Sequence, residues 1–474
     1  VTETTLHRTG HLVIGSGAGG SVTAAYLAEA GEQVLVVEEG ERVERGEVRQ
    51  FSLEQMSRQY RNRGTTAMFG NYIVNYAEGC CLGGSTEVNS GLYHLADEEL
   101  LNRWRSEHGI VDLTPARLAD VAADIERTLR IAPQEEVTTD GASLRLRDGA
   151  EAVGWSWQEV PRWAHQEPDG ETVWHGMSST FVPRAERAGA TFLTGVRIER
   201  LQLSGRRVTG AIATDSEERT FVIAAENVWI CCGAVGSAAL LRRSGVGIGR
   251  GSLSAHPTVK ALARFEEPLG AADDVPVHQV KEFAPEITIG GSARTASQLA
   301  LALSEEWPQG RSFLEQPEHV GAYYAAIAPD RPRGTVISVP GSADPVPLIW
   351  LSRKDRALLS SGLRRACHLL LASGAVEIRT GVPGVGAITG PADLDRIPRL
   401  LPLSASLMTV HTFSTLPMGE GSGSHPADSF GRLRAVEGVH VNDASLIPSA
   451  PGINPQGTVM ALAARNVLNF IDRQ

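Results

Sequence analysis

The sequence predicts an α/β protein in which a Rossmann-like dinucleotide-binding domain is combined with a second, α+β domain, the two interleaved along the chain. Three observations carry that expectation. Residues 11–14 form an apolar run that leads into Gly15-Ser16-Gly17-Ala18-Gly19-Gly20, after which Val22, Ala25, Tyr26, Leu27 and Ala30 recur at helical spacing before Gly31. That is the order strand, glycine turn, helix, C-cap. Residues 33–38 are a continuous, β-branched run, as a parallel strand buried on both faces requires. Finally, glycine makes up 50 of the 474 residues, above the usual ~7%, and the excess is clustered.

Beyond this opening βαβ unit, residues 42–76 are polar, arginine-rich and without clear period, and read as loops and one helix. A second glycine cluster follows at Gly79, Gly83 and Gly84. A helix is predicted over 115–129. The loop-rich region after it carries Trp155, Trp157, Trp163 and Trp174, better read as core packing than as a substrate entrance. The runs 191–196, 198–203 and 208–214 read as β-hairpin material. Residues 227–232 read as another buried strand, running into a helix through Ser237, Leu240 and Leu241. From 259 to 403 short strands alternate with Pro/Gly turns around one clear helix, 354–371. The chain closes with a strand at 439–443 and a long helix at 456–471, where Val459, Leu462, Ala463 and Val467 repeat at helical spacing.

Composition excludes several classes. Hydrophobic residues at 42%, charged residues at 21% and a mean hydropathy of -0.11 suit a folded globular chain rather than a disordered or membrane-embedded one. The 44 basic and 55 acidic residues leave a net charge of -11, with no long basic run, so neither nucleic acid nor an anionic membrane is expected as a partner. No apolar run approaches the ~18 residues of a membrane span, and residues 1–10 lack the charged-then-apolar pattern of a signal peptide. Cys80 and Cys81, Cys231 and Cys232, and Cys367 form an odd set without framework spacing, as expected of reduced thiols in a cytoplasmic protein. With no C-x-x-C pair or H-E-x-x-H helix, no metal is expected. Only Lys260, Lys281 and Lys354 among the basic residues are lysines, a bias that a high-GC bacterial genome would produce.

The chemistry begins at Gly15-x-Gly17-x-x-Gly20, which has dinucleotide-binding spacing. The first glycine allows the turn, the second lets backbone approach a pyrophosphate, and the third lets helix pack on strand; Ala18 opens the helix whose N-terminus would face the phosphates. Glu38, eighteen residues beyond Gly20, ends the second strand, where a carboxylate can accept hydrogen bonds from the ribose hydroxyls. Register favours it over the adjacent Glu39. These features alone do not separate NAD from FAD.

Further along, Gly79-Cys80-Cys81-Leu82-Gly83-Gly84-Ser85-Thr86-Glu87-Val88-Asn89 resembles the flavin-contacting loop of the glucose-methanol-choline (GMC) oxidoreductases, whose pattern is G-x-x-x-G-G-S-x-x-x-N. Also similar to that family are Cys232 to Ser237 with Leu240, Leu241, Ser244 and Gly245, then His256-Pro257, then His411 to Gly419, Asn442 to Pro448 and Asn454 to Thr458. The blocks come in family order and span nearly the whole chain. The resemblance implies FAD, with residues 1–94, 181–257 and 408–474 as the FAD-binding domain and 95–180 and 258–407 as the substrate-binding domain. It implies that Gly83, Gly84 and Asn89 meet the flavin ring, that the backbone of Val196 touches adenine, and that Asp443 and Ala444 meet the ribityl-pyrophosphate. For Val196 an ordinary strand valine is an equally good reading. Pro455, Gln456 and Thr458 would open the last helix toward the flavin O2 locus, where free N–H groups and the dipole favour negative charge. Family members with a histidine-linked flavin carry that histidine just before the loop asparagine; here the position is Val88, so non-covalent FAD is expected.

The activity so implied is oxidation of an alcohol to a carbonyl, with hydride passing to flavin N5. Such chemistry needs a base within reach of the hydroxyl and a second group to fix the oxygen. His411 matches the family's catalytic histidine and Asn454 the second position, which is His or Asn across the family. His411 is expected to take the hydroxyl proton while Asn454 orients the oxygen. His256, His94 and His278 are weaker candidates, and His256-Pro257 is expected on the cofactor's far side or capping a turn. The expected substrate is a small-molecule alcohol: a sugar, an aminosugar or another natural-product hydroxyl of bacterial secondary metabolism. A lipid or sterol alcohol is the alternative, and a non-redox FAD lyase of the same fold is a third reading. O2 or another acceptor would take the electrons. A nicotinamide dehydrogenase would leave the second glycine loop and the C-terminal blocks without purpose.

Overall fold

Four apolar residues in a row, Val34 to Val37, are all buried in the strand Val34–Glu38, because both faces of that strand are covered. It pairs in parallel with Thr5–Ile14 on one side and with Thr191–Thr194 on the other. Thr5–Ile14 pairs in parallel with Thr220–Ile230, whose last residues pair in parallel with Val439–Val441. The first half of Thr220–Ile230 turns instead to an antiparallel hairpin, Val196–Ser204 and Arg207–Asp215. The helix Ala18–Glu29 packs against Gln456–Ile471 and Phe181–Arg187 beside this sheet. This computed structural model describes residues 5–44, 46–133, 141–166, 172–248, 252–270, 272, 275–307, 309–339, 342, 344–421 and 425–473; residues 1–4 of the polar N-terminal stretch lie outside them.

A second, larger sheet is mostly antiparallel. Its order runs Gly334–Ile337, Val346–Ile349, Thr66–Gly70, Val74–Tyr76, Leu407–Thr409, Thr258–Arg264, Val320–Ile327, Ile287–Ser292, His278–Val280 and Trp157–Glu159, with Glu377–Arg379 also on Thr258–Arg264. The helix Arg353–Ala372 covers one face and starts at a capping box in which Ser352 and Asp355 satisfy each other's backbone N–H. The alternation of Thr258–Arg264 follows from this layering: Val259 and Ala261 are fully buried, while Thr258 and Lys260 face a cavity on the other side.

The helix Pro115–Leu129 has the predicted bounds, and Thr114 caps it, its Oγ1 accepting from Arg117 N at 3.1 Å. The helix Gln456–Ile471 also has the predicted bounds. Three placements differ. Thr191–Thr194 is a parallel edge strand rather than part of a hairpin. The strands Thr66–Gly70 and Val74–Tyr76 fall in a stretch read as loops and a helix, and they join the larger sheet; runs this short offer too few alternations to show a period. The helix Pro115–Leu129, read with the substrate-binding domain, packs on Gln456–Ile471, and Trp104 Nε1 donates to Ser449 Oγ at 2.9 Å. All five cysteines are unpaired. Among the described residues no helix is long and apolar enough to cross a membrane, and no group of three or more His, Cys, Asp or Glu could hold a metal ion.

Candidate functional site

A single cavity of about 810 Å³ runs from the first glycine turn to the face of the larger sheet. At its start Gly15 has φ +95°, and a Cβ there would lie 2.5 Å from the carbonyl oxygen of Cys231. A Cβ on Gly20 would lie 1.9 Å from the Gly15 oxygen, so this glycine lets the helix close on the strand. Gly17 differs from both. A Cβ there would come no nearer to the rest of the protein than 4.0 Å, at Gly84 Cα, yet Gly17 lines the cavity. Nothing in the fold demands glycine at 17, so the missing side chain serves whatever occupies the cavity.

Glu38 is buried at the cavity wall and accepts from Ser16 N at 2.9 Å, Ser16 Oγ at 2.7 Å and Gly40 N at 3.0 Å. Burial raises its pKa, and those donors oppose the rise. The neighbouring Glu39 is engaged by Arg61 at 3.0 Å. Ser16 escaped the sequence reading: its hydroxyl also accepts from Gly83 N at 3.0 Å, so one side chain ties the first glycine turn, the strand-end carboxylate and the second glycine loop together. The only signal for it was its place between two glycines of the motif.

In the second loop Gly84 reaches the wall and abuts Gly17, whereas Gly83 lies behind it. The Asn89 amide donates to Gln456 Oε1 at 2.5 Å and accepts from Gly91 N at 2.8 Å, which fastens the loop to the last helix. Val88 lines the wall. Asp443 accepts from Gly233 N at 2.9 Å, Ser237 Oγ at 2.5 Å, Ser445 N at 2.8 Å and Ser445 Oγ. Its carboxylate is therefore filled by the protein, and what it offers the cavity is backbone. Ala18, Val196, Ala444, Pro455 and Gln456 line the wall, and Gly20 and Thr458 do not. Thr458 is wholly buried, its hydroxyl accepting from Ala96 N at 2.9 Å, so it locks the helix to the chain rather than facing a ligand. No side chain caps the start of that helix.

His411 and Asn454 line the same cavity. His411 follows the strand Leu407–Thr409, and Thr409 Oγ1 holds the turn by accepting from His411 N at 3.1 Å and donating to its carbonyl at 3.0 Å. Asn454 Oδ1 accepts from Gln279 Nε2 at 3.0 Å, which leaves its Nδ2 for the cavity. His256 lies on the cavity wall, and its ring caps the bend at Gly452, one of the two placements expected of it. The larger sheet brings it under His411, with the two Nδ1 atoms 3.1 Å apart and the rings nearly perpendicular at 83°. His256 Nε2 accepts from Gly452 N at 3.0 Å, so its proton is on Nδ1 and is donated to His411 Nδ1. His411 then carries its own proton on Nε2. Burial pushes the His411 pKa down to about 4 and that of His256 well below the ordinary value. His94, His278 and the tryptophans are not on the wall.

A cavity that opens at a dinucleotide turn and ends at two side chains able to hold an alcohol oxygen places the protein among the dinucleotide-dependent oxidoreductases. The sequence profile of the GMC oxidoreductase family matches residues 11–259 in its N-terminal part and 331–463 in its C-terminal part. A GMC-type oxidoreductase of Sinorhizobium fredii is 35% identical over 96% of this chain and 93% of its own length. A long-chain-alcohol oxidase of Arabidopsis thaliana is 26% identical over 97% of this chain and 68% of its own. Among solved structures, pyridoxine 4-oxidase from Mesorbium loti superposes with a TM-score of 0.75 at 18% identity, covering 98% of this chain and 99% of that one. The chain belongs to the GMC oxidoreductase family and is an enzyme.

Proposed function

We infer that this protein oxidises an alcohol to a carbonyl with non-covalent FAD, and that His411 and Asn454 hold the reacting oxygen. The observation that carries this reading is the shared cavity: its dinucleotide turn and its histidine–asparagine pair are walls of one space. The residues suit FAD. Gly15, Gly17 and Ala18 would hold the pyrophosphate, with the backbone of Asp443 and Ala444 beside it. Three donors on Glu38 leave one lone pair of Oε1 for a ribose hydroxyl, and Val196 would meet adenine. Gly84, Asn89, Pro455 and Gln456 would surround the ring system. When bound, the flavin supplies the two-electron acceptor that no side chain provides.

The side chains handle the oxygen and the proton. In the tautomer set by Gly452, His411 Nε2–H and Asn454 Nδ2–H both donate, which suits an alkoxide or carbonyl oxygen. Taking the hydroxyl proton at Nε2 requires the opposite tautomer, with His411 Nδ1–H donating to His256 Nδ1 and the Gly452 contact given up. The imidazolium formed then donates Nε2–H back to the alkoxide oxygen.

Thr258, Lys260, Thr288, Ser292 and Tyr324 line the sheet side of the cavity. That polarity supports a sugar or other natural-product hydroxyl over the long alkyl alcohols named for the Arabidopsis relatives. The test is an anaerobic alcohol panel read by flavin absorbance: a true substrate bleaches the flavin, turnover without bleaching indicates a lyase, and a panel with neither refutes the proposal. Because Val88 occupies the attachment position, acid precipitation is expected to release the yellow colour into the supernatant; colour retained in the pellet contradicts the non-covalent assignment.

A further inference from the structure

Charged groups on the cavity wall are matched, with one exception. Glu39 and Glu78 are paired with Arg61 at 3.0 and 2.9 Å, and Arg197 with Glu199 at 2.7 Å. Arg243 donates to the Glu199 carbonyl at 3.0 Å, while Glu38 and Asp443 accept from N–H and O–H donors. Lys260 is the exception: its ammonium has no hydrogen bond or ion pair among the described residues, although the residue is half-buried on the wall. Neither Lys281 nor Lys354 reaches that wall.

The sheet explains why the position is open. Thr258–Arg264 pairs with Met408 at Thr258 and with Glu377–Arg379 from Leu262 onward, so Lys260 stands where one neighbouring strand has ended and the next has not begun. On its other side, the Tyr324 opposite it leans away across Gly290, where a Cβ would lie 2.5 Å from the tyrosine oxygen. Thr380, Gly381 and Ser406 line the wall from the segments that flank the gap.

We propose that Lys260 receives an anionic group of the alcohol substrate, a carboxylate or a phosphate. The proposal rests on reading the cavity as an alcohol-oxidising site. An ammonium withdrawn from water without a counter-charge is unfavourable, and burial pulls its pKa down to about 8; a bound anion restores the match and holds the lysine charged. Lys260 and Thr258 share one face of the strand Thr258–Arg264, and His256 lies two residues before it, so the α-carbons of 256 and 260 are at most ~14 Å apart. The anionic group therefore lies within roughly 10 Å of the carbinol, which suits a substrate with the hydroxyl at one end and the charge at the other. An aminosugar would bring like charge to the lysine and is disfavoured.

The test uses FAD-loaded enzyme, anaerobically, with ω-hydroxycarboxylates, ω-hydroxyalkyl phosphates and the corresponding neutral ω-hydroxyamides. Wild type is expected to favour one anionic series over its amide counterpart by about 10- to 100-fold in the concentration needed for half-maximal flavin reduction, as loss of a charged hydrogen bond implies. The series preferred identifies carboxylate or phosphate. Lys260→Met should abolish the preference, and Lys260→Arg should retain much of it. Amides oxidised as readily as both anions, or a preference that survives in Lys260→Met, overturns the proposal. If no alcohol of any series bleaches the flavin, the failure lies in the alcohol-oxidation reading instead.

Discussion

Replacing His411 with alanine is expected to leave FAD bound and to slow its reduction by a true substrate by about 10² or more, the range for losing a positioned acid–base group. The residue lines the cavity through its ring, and the hydrogen bonds of its backbone to Thr409 survive the change, so flavin content and the fold should persist. Stopped-flow absorbance under anaerobic conditions measures the effect; an unaltered limiting rate would refute the assignment. The pH profile adds a second reading. Burial holds His411 neutral down to about pH 4, so the wild-type reduction rate should show no histidine limb near pH 6.5. The stability consequence has a definite sign. Between the unfolded value of ~6.5 and the folded value of about 4, the unfolded chain binds the proton that the native chain refuses. Stability at this site is therefore lost as pH falls through that window.

Gly20→Ala should purify without flavin colour and with a lowered Tm. The added Cβ would meet a backbone oxygen, that of Gly15, at 1.9 Å, and backbone cannot rotate aside as a side chain can. The start of the helix must move, and the pyrophosphate cradle moves with it. Gly17→Ala is the informative partner, since its Cβ would meet no other protein atom closer than 4.0 Å. Its apoprotein should melt like wild type yet take up FAD poorly. Normal FAD uptake by Gly17→Ala would refute the claim that the missing side chain serves the cofactor.

Features governed by local pattern were legible in the sequence. The helices Pro115–Leu129 and Gln456–Ile471 carry their own periodicity and boundary residues, and the opening βαβ unit carries its glycines. The pairings that depend on distant segments were not. His256 and His411 are separated by 155 positions in sequence, and the pairings of Ser254–Ala255 with Thr412–Phe413 and of Thr258 with Met408 bring them together. Ser16 looks like filler until the Gly83 backbone is seen against it. Lys260 reads as one more strand residue, because an absent counter-charge is a property of the whole wall. For Thr458 the motif suggested a ligand contact, and the space around it instead holds Ala96.

The dinucleotide sheet is built from both ends of the chain. Asn442 Nδ2 donates to Thr23 Oγ1 at 2.8 Å and to the Ala463 carbonyl at 3.1 Å, so the helix Ala18–Glu29 is secured by a residue synthesised 419 positions after Thr23. At roughly 5–20 residues per second, on the order of a minute separates the synthesis of the glycine turn from that of these distant partners. During that interval the newborn βαβ unit has an unpaired flank where Val439–Val441 will later pair. The sheet beside the glycine turn is therefore complete only once Val439–Val441 has been made, and a chain terminated before it carries a nucleotide motif whose sheet lacks that strand.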